Sequence, residues 1–158
     1  MMRGEGIEII RGVTPEEVFD FVLDDRQYTK ADTKIVRVTK VSDTEDGMIA
    51  IEEGKFMGLP GSVVTRYRWV PYKSIVVTLV HGMLRSLNAS FDIEQVEGGT
   101  RVHHVEEMEM GLGPAGPLMD RAFAAWLSNS VRQEVTEIKR LMEAGERGRP
   151  FREMPASS

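Results

Sequence analysis

The hydrophobic pattern of this chain predicts strands over most of its length and one long helix near its end. Between Pro117 and Glu143 apolar side chains recur at steps of three and four, which places them on one face of a helix. Pro117 suits a first helical turn, and Gly145 suits the position just past the last turn. Such a helix needs an apolar surface to pack against. Its apolar positions are Met119, Phe123, Trp126, Leu127, Val131, Val135, Ile138, Leu141 and Met142.

The segments before this helix predict seven strands and two short helices. The segment from Thr14 to Glu17 is typical of a helix N-terminus, because a hydroxyl cap, a proline and a glutamate stand at the preferred positions. A second short helix or turn is predicted over residues 26–31. Turn residues separate the later segments, and strands joined by short turns pair antiparallel. The predicted strands cover residues 7–11, 33–41, 48–55, 62–70, 74–80, 84–96 and 100–110.

This order of elements predicts an α+β fold of the helix-grip kind, in which a seven-stranded antiparallel sheet wraps around the long C-terminal helix. Residues 1–145 would form this single ligand-binding domain, and residues 146–158 would form a disordered tail. One helix laid across a sheet leaves a gap where the two diverge. A ligand would bind in that gap.

Composition excludes several classes of function. The net charge of −5 does not provide the basic surface of a nucleic-acid-binding protein, so no nucleic-acid partner is expected. The chain has no cysteine, which excludes disulfides and thiolate chemistry. The longest apolar run, residues 75–80, is too short for a transmembrane segment, and the N-terminus does not resemble a signal peptide, so a cytoplasmic location is expected. The spacing of the three histidines fits no metal site, and neither a metal nor another cofactor is predicted; the oligomeric state is left open.

Strand alternation turns two ionisable side chains of the last strand toward the interior. Val102, Met108 and Met110 make one side of this strand the more apolar, so that side should face the helix. His104 and Glu106 share it. A buried polar group without a partner costs about 1–3 kcal/mol. The two side chains therefore either satisfy each other through water or line a pocket and orient a ligand.

The same rule assigns other side chains to a face. Tyr67 and Trp69 are expected to point inward, and Arg85 shares the inner side near the start of its strand. Glu52 and Glu53 are neighbours on a strand, so they point to opposite faces. They are interpreted as solvated edges rather than as an acid–base pair.

Three segments resemble one superfamily. The helix opening from Val13 to Asp20 follows the first strand, the segment from Gly98 to Val102 opens the last strand, and the periodic helix from Pro117 closes the chain. Over about residues 5–145 the chain resembles the START-like, polyketide cyclase/dehydrase (SRPBCC) superfamily of helix-grip proteins. The resemblance implies a seven-stranded antiparallel sheet, a long C-terminal helix and a deep apolar cavity. Members bind lipids or hormones, shuttle ubiquinone-like molecules, or fold and aromatise polyketides.

Two closer comparisons concern the cavity and its mouth. The segment from Met108 to Met110 and the loop after it are similar to bacterial aromatase/cyclases, where an arginine usually points into the pocket from the position that is Trp69 here. The loss of that arginine disfavours cyclase activity and leaves an aromatic wall. Two loops are similar to the gate and latch loops of plant hormone receptors. The residues that this comparison implies for a gate are Leu59, Pro60, His81, Met83 and Arg85.

The favoured interpretation is a protein that binds or carries a hydrophobic small molecule (a polyketide, isoprenoid or lipid-like compound) between the sheet and the C-terminal helix. The enzyme alternative is a polyketide aromatase/cyclase or dehydratase, with His104 or Glu106 as general base and Tyr67 as proton donor. A third alternative, a protein-interaction module, needs an exposed apolar patch that the sequence does not show. The predicted ligand-binding residues are Tyr67, Trp69, Phe91, His104, Glu106, Met108, Met110, Met119, Phe123 and Leu127.

Overall fold

The computed structural model describes residues 1–151, which form seven β-strands and three α-helices. The strands make one antiparallel sheet in the order β1-β7-β6-β5-β4-β3-β2. The sheet and the long last helix confirm the predicted helix-grip fold. In chain order the elements are β1 Met2–Arg11, α1 Pro15–Leu23, α2 Asp25–Ala31, β2 Ile35–Thr44, β3 Gly47–Phe56, β4 Leu59–Val70, β5 Ser74–Gly82, β6 Leu84–Val96, β7 Gly99–Met110, a 3₁₀ turn Gly113–Ala115 and α3 Gly116–Glu143.

The two short helices begin at the caps that their sequences provide. Thr14 Oγ1 accepts from the amide of Glu17 at 3.2 Å, and the Glu17 carboxylate accepts from the amide of Thr14 at 3.2 Å. This is the predicted capping box. Asp24 ends α1 and caps α2 by accepting from the amide of Arg26 at 3.1 Å. The change of direction between α1 and α2 therefore takes place at Asp24 alone.

Helix α3 lies along one edge of the sheet, against β1 and β7. A glycine makes this contact close. A Cβ atom on Gly4 would lie 2.7 Å from Val131 Cγ2 and 2.8 Å from the Leu127 carbonyl oxygen, so any larger residue would push β1 away from the helix. Part of the inner face of β3 to β6 packs instead with α1 in one apolar cluster.

The buried apolar side chains form two clusters. One joins α1, the middle strands and the C-terminal end of α3, and includes Phe19, Ile75 and Ile138. The other joins the N-terminal half of α3 to the opposite end of the sheet, and includes Met108 and Leu127. Within residues 1–151, no helix combines the length and the apolar composition needed to cross a bilayer.

A β-bulge changes the direction of Arg85. The pairing of β6 with β7 runs from Leu84 opposite Met110 directly to Ser86 opposite Glu109, which leaves Arg85 as an extra residue. Leu84 is therefore buried and Arg85 is exposed, 3.6 Å from the Glu109 carboxylate. Strand alternation had placed Arg85 on the inner side, and the bulge is the reason that it points outward.

Residues 146–151 pack against α1, whereas the sequence predicted a disordered tail from residue 146. Arg147 forms an ion pair with Glu17, and the Arg149 guanidinium lies 3.0 Å from Asp24 Oδ1. The backbone amide of Arg149 also donates to Asp24 at 2.9 Å. These arginines meet acidic side chains at the α1–α2 corner, which composition alone does not reveal. The rest of the predicted tail, residues 152–158, lies outside the described residues.

Phe151 completes an aromatic cluster that joins α1 to the β4–β5 turn. Its ring centroid lies 5.0 Å from that of Phe19, 5.7 Å from that of Tyr72 and 6.2 Å from that of Trp69, each in an edge-to-face arrangement. Trp69 also meets Phe19 at 6.5 Å. Trp69 therefore contacts other side chains of the protein and does not line the cavity.

Candidate functional site

A lysine lies at the centre of the protein interior. Lys34 directly precedes β2 and is 3% exposed. Its Nζ lies 3.2 Å from Glu106 Oε2 on β7, 3.2 Å from Glu134 Oε2 on α3 and 3.5 Å from Asp32 Oδ1. It also donates to Ser130 Oγ at 3.2 Å. Burial alone would lower the pKa of Lys34, but the three carboxylates raise it well above its usual value, so the side chain is an ammonium ion.

The local backbone fixes the position of this lysine. Asp32 Oδ1 accepts from the amide of Lys34 at 2.6 Å and from that of Ile35 at 3.1 Å, which holds the turn into β2. The Lys34 carbonyl accepts from the amide of Lys55 at 2.8 Å. A Cβ atom on Gly54 would lie 1.9 Å from that carbonyl oxygen, so the two chain segments approach only because residue 54 is glycine.

His104 supplies a second buried positive charge. Its Nδ1 donates to the Ser90 carbonyl at 2.8 Å, which leaves Nε2 facing Glu134 Oε1 at 3.3 Å and Glu106 Oε2 at 3.7 Å. Nε2 makes no hydrogen bond of good geometry within residues 1–151, so these contacts are ion pairs. Burial alone would lower the pKa of His104, but Glu134 and Glu106 raise it to about 10. His104 is therefore an imidazolium at neutral pH.

Glu134 connects both cations to α2. Tyr28 of α2 donates its hydroxyl to Glu134 Oε1, the oxygen that also faces His104. Burial would raise the pKa of Glu134, but the charges of Lys34 and His104 lower it to about 2. Glu134 is thus ionised at all ordinary pH values and joins α3 to α2, β2 and β7.

A further buried carboxyl group lies on β3. Glu52 is 5% exposed, and its Oε1 accepts from the Tyr67 hydroxyl of β4. Burial, with a further contribution from the charges of Asp32 and Glu106, raises the pKa of Glu52 to about 7. The interpretation of Glu52 as a solvated residue is wrong. It is buried because β3 turns Met48, Ala50, Glu52 and Phe56 to the same inner face, whereas Glu53 is half-buried and pairs with Arg37.

These groups surround a small cavity between the two apolar clusters. Its volume is about 30 Å³, which is room for about two water molecules. The deep cavity that the resemblance implies is therefore mostly filled by side chains in this structure. A hollow of about 500 Å³ between β1 and α3 is lined mainly by polar and charged side chains that are exposed or half-buried. The small cavity is lined by Val22, Tyr28, Asp32, Lys34, Ile35, Glu52, Phe56, Tyr67, Val77, Leu87, Ala89, Phe91 and Glu106.

The structure brings some of the predicted ligand-binding residues together and places others elsewhere. Tyr67, Phe91 and Glu106 line the cavity, and His104 lies behind them. Trp69 belongs to the aromatic cluster with Phe151. The described part of α3 contributes no lining residue. The remaining predicted residues lie in the second apolar cluster, with Met108, Met110 and Leu127 buried in it and Met119 and Phe123 half-buried at its edge.

The predicted gate residues lie at one end of the sheet. Met83 is half-buried and covers Gly61, since a Cβ atom there would lie 2.1 Å from its sulfur. This contact joins the β3–β4 turn to the start of β6. Phe56, which lines the cavity, is the last residue before that turn. The other four predicted gate residues are exposed: Leu59, Pro60, His81 and Arg85.

One group of side chains has the composition of a metal site. Ligand atoms of His104, Glu106 and Glu134 all lie within 4.8 Å of one another. The Lys34 ammonium lies 3.2 Å from both carboxylates and already supplies the positive charge that they require. A metal ion would have to displace it, so the arrangement does not favour one.

The seven-stranded antiparallel sheet and the long C-terminal helix define a helix-grip protein. The chain belongs to the family described as polyketide cyclase / dehydrase and lipid transport, whose model matches residues 8–143. This confirms the resemblance noted in the sequence. No curated protein sequence matches the chain.

Several solved structures are similar to this one. The Thermus thermophilus protein TTHA0849 has a TM-score of 0.77 and 14% identity, covering 91% of this chain and 99% of that protein. A START superfamily protein from Mycobacterium smegmatis has a TM-score of 0.68 and 15% identity, covering 91% and 96%. The Zhui aromatase/cyclase from a Streptomyces species has a TM-score of 0.67 and 10% identity, covering 90% and 97%. At these identities the similarity shows the shared fold.

Proposed function

We propose that this protein binds a small molecule with an apolar body and a polar end in the cavity between the sheet, α1 and α2. The observation that carries the proposal is the two-sided wall of that cavity. Val77, Leu87 and Phe91 form an apolar side on the sheet, whereas Lys34 and Glu52 form a polar side. A wholly apolar ligand would gain nothing from the polar side.

The energetic cost of the polar side supports a functional role. Taking a charged group out of water costs several kcal/mol, which ion pairing offsets only in good geometry. The groups around the cavity nevertheless include two cations and four carboxyl groups. Side chains with strongly shifted pKa values beside a cavity are typical of binding and catalytic sites. The residues concerned are Asp32, Lys34, Glu52, His104 and Glu134.

A ligand larger than water requires the cavity to widen, and the β3–β4 turn is the element best placed to move. Met57 has φ of 53° and Gly58 has φ of 81°, so the two strands are joined by a tight two-residue turn. Phe56 precedes the turn and closes the cavity, and exposed Leu59 follows it. Movement of this hairpin end would withdraw Phe56. The flexible Met83 side chain, which covers Gly61, would accommodate the change.

Native mass spectrometry of the protein purified from its own source tests the proposal, because a copurifying compound would be observed directly. We expect one bound molecule per chain. Ala89→Leu adds three carbon atoms to the cavity wall and should abolish binding, whereas the same change at exposed Ala122 on α3 should leave it intact. Equal binding by both variants would contradict the proposed location.

A second candidate function is acid–base catalysis on a polyketide-like substrate, and one observation favours Glu52 as its proton carrier. A group with a pKa of about 7 exchanges protons readily at neutral pH, and Tyr67 holds it in place. The predicted base His104 is an imidazolium without a free lone pair. Glu52→Gln should abolish turnover of a poly-β-ketone and retain binding, with Glu53→Gln as control. Turnover that survives Glu52→Gln would contradict this role.

A further inference from the structure

The charged groups around the cavity are unequal in number. Four carboxyl groups, those of Asp32, Glu52, Glu106 and Glu134, accompany the two cations Lys34 and His104. Lys34 forms ion pairs with three of the carboxylates, and His104 forms ion pairs with two of them. Glu52 is the carboxyl group that pairs with neither cation in residues 1–151.

The carboxyl group of Glu52 has one oxygen without a hydrogen-bond donor among the described residues, and this side chain lines the cavity. Oε1 accepts one hydrogen bond, from the Tyr67 hydroxyl, and no described residue donates to Oε2. The side chain is 5% exposed and lines the cavity. A buried carboxylate with an unpaired oxygen is costly, and the cost disappears when a positive partner binds.

We infer that the polar end of the ligand is an organic cation, a primary or secondary ammonium group, that pairs with Glu52 inside the cavity. The inference rests on the proposed function, because it assigns the chemical class of the molecule that the cavity holds. Glu52 Oε2 would accept a charge-assisted hydrogen bond from the ammonium group. The apolar body would lie along the sheet side.

The surroundings of Glu52 favour an organic cation over an anion or a metal ion. An anionic ligand would face Glu52, Asp32 and Glu106, and Lys34 is already shared among other carboxylates. A metal ion needs several free oxygen ligands, which the same ion pairs withhold. Tyr28 and Phe56 line the cavity as well, and aromatic rings attract ammonium groups.

The preference should depend on pH in a defined direction. Burial holds the pKa of Glu52 near 7, so Glu52 carries its full charge only above this value. An alkylammonium group stays protonated to about pH 10. Affinity for a cation should therefore rise between about pH 6 and pH 8. Asp32, Lys34, Tyr67 and Glu106 are the other titratable groups that face Glu52, and ionisation of Asp32 would add to the same trend.

Three probes that share one alkyl chain test the inference: decylamine, decanol and decanoate. Isothermal titration at about pH 8 should show decylamine binding about 10-fold or more tightly than decanol, as one charge-assisted hydrogen bond would give, with decanoate weakest. Glu52→Gln should remove this preference and leave decanol affinity within about 2-fold, as expected for a change that leaves the apolar contacts in place. Glu53→Gln is the matched control, because Glu53 pairs with Arg37 and does not line the cavity, and it should keep the preference. Ala89→Leu should lose all binding.

The outcomes separate the two proposals. Equal affinity for decylamine and decanol, or an amine preference that survives Glu52→Gln, overturns the cation inference while the proposed binding function stands. Should Glu52→Gln fail to fold, the wild-type decylamine-to-decanol affinity ratio decides, because it must increase from about pH 6 to pH 8. Failure of all three probes to bind, together with no copurifying compound, overturns the proposed function itself.

Discussion

The rings of His104 and Phe91 lie face to face on neighbouring strands, with centroids 3.9 Å apart and planes 4° apart. The two residues are directly paired across β6 and β7. Phe91 also lines the cavity and meets Tyr28 edge to face at 5.9 Å. Phe91 is thus the wall between the imidazolium and the cavity, and one face of the charged ring is covered by an aromatic surface.

We expect Phe91→Leu to lower the pKa of His104, because it removes an aromatic face that favours the charged form of the imidazole. The free energy of unfolding should fall by about 1–2 kcal/mol as well. An NMR titration of the imidazole protons measures the pKa directly. Phe123→Leu, at a half-buried position on α3 away from His104, should leave it unchanged. An unaltered pKa in Phe91→Leu would mean that the stacking has no electrostatic effect.

Stability should decrease in alkaline solution because of His104. Its pKa in the folded state is raised from 6.5 to about 10, so its stabilisation is complete below about pH 6.5 and is lost as pH rises through 10. The decrease should amount to a few kcal/mol. Urea unfolding across this range should show a flatter profile for His104→Gln than for the wild type, while exposed His81→Gln should follow the wild type. Parallel profiles for wild type and His104→Gln would contradict the assignment.

Glu134→Gln should destabilise the protein by about 3–5 kcal/mol. The change leaves Lys34 and His104 buried with too little negative charge, and breaking one partner of a buried ion pair has this cost. Glu137→Gln on the same helix is the matched control, since Glu137 forms an exposed pair with Arg140 and should change stability by less than about 1 kcal/mol. Chemical denaturation provides the comparison. A similar small effect at both positions would show that the buried network does not stabilise the fold.

The segment after α3 should contribute measurably to stability through Phe151. Phe151→Ala removes the ring that meets Phe19, Trp69 and Tyr72, and we expect a loss of about 2 kcal/mol. Near-ultraviolet circular dichroism should change too, because Trp69 and Tyr72 lose a neighbour. Leu118→Ala, at a position 70% exposed, should have no such effect. An unchanged spectrum would mean that Phe151 does not occupy this cluster in solution.

Ligand binding should slow hydrogen exchange in residues 57–61, the turn beside Phe56. We proposed that this turn moves to open the cavity, so a bound ligand should fix it in one position. The turn at residues 71–73 joins the same type of strand pair at the other end of β4 and should exchange at the same rate with and without ligand. Identical exchange of both turns in the two states would exclude the β3–β4 turn as the gate.

Local patterns were sufficient to predict the fold. The structure contains the predicted apolar face of α3 and the predicted cap at Thr14. Both were predictable because they depend on the sequence of a single element. The bulge at Arg85 was not predictable from alternation, since it depends on how β6 pairs with β7. Trp69 has the predicted inward direction, but Phe151 reaches it from a distant part of the chain.

The site was predicted only in part, because ions are buried by their partners rather than by their own sequence pattern. His104 and Glu106 were found from alternation on β7. Glu134 was missed, although it follows Val131 by three residues and precedes Ile138 by four, which places it in the buried stripe of α3. Lys34 carries no local signal of burial. Its position depends on Gly54 and on carboxylates from two distant elements.

The ion cluster around Lys34 has a consequence for how this sequence can evolve. Replacement of Lys34 alone would leave several buried carboxylates without their positive partner. Replacement of any one of Glu106, Glu134 and Asp32 would change the charge around Lys34, which the other two share. Single substitutions at these positions are therefore selected against, even where a combined change would be tolerated. Descendants that convert this interior to an apolar one must pass through compensating double substitutions, so these positions should be inherited or lost together.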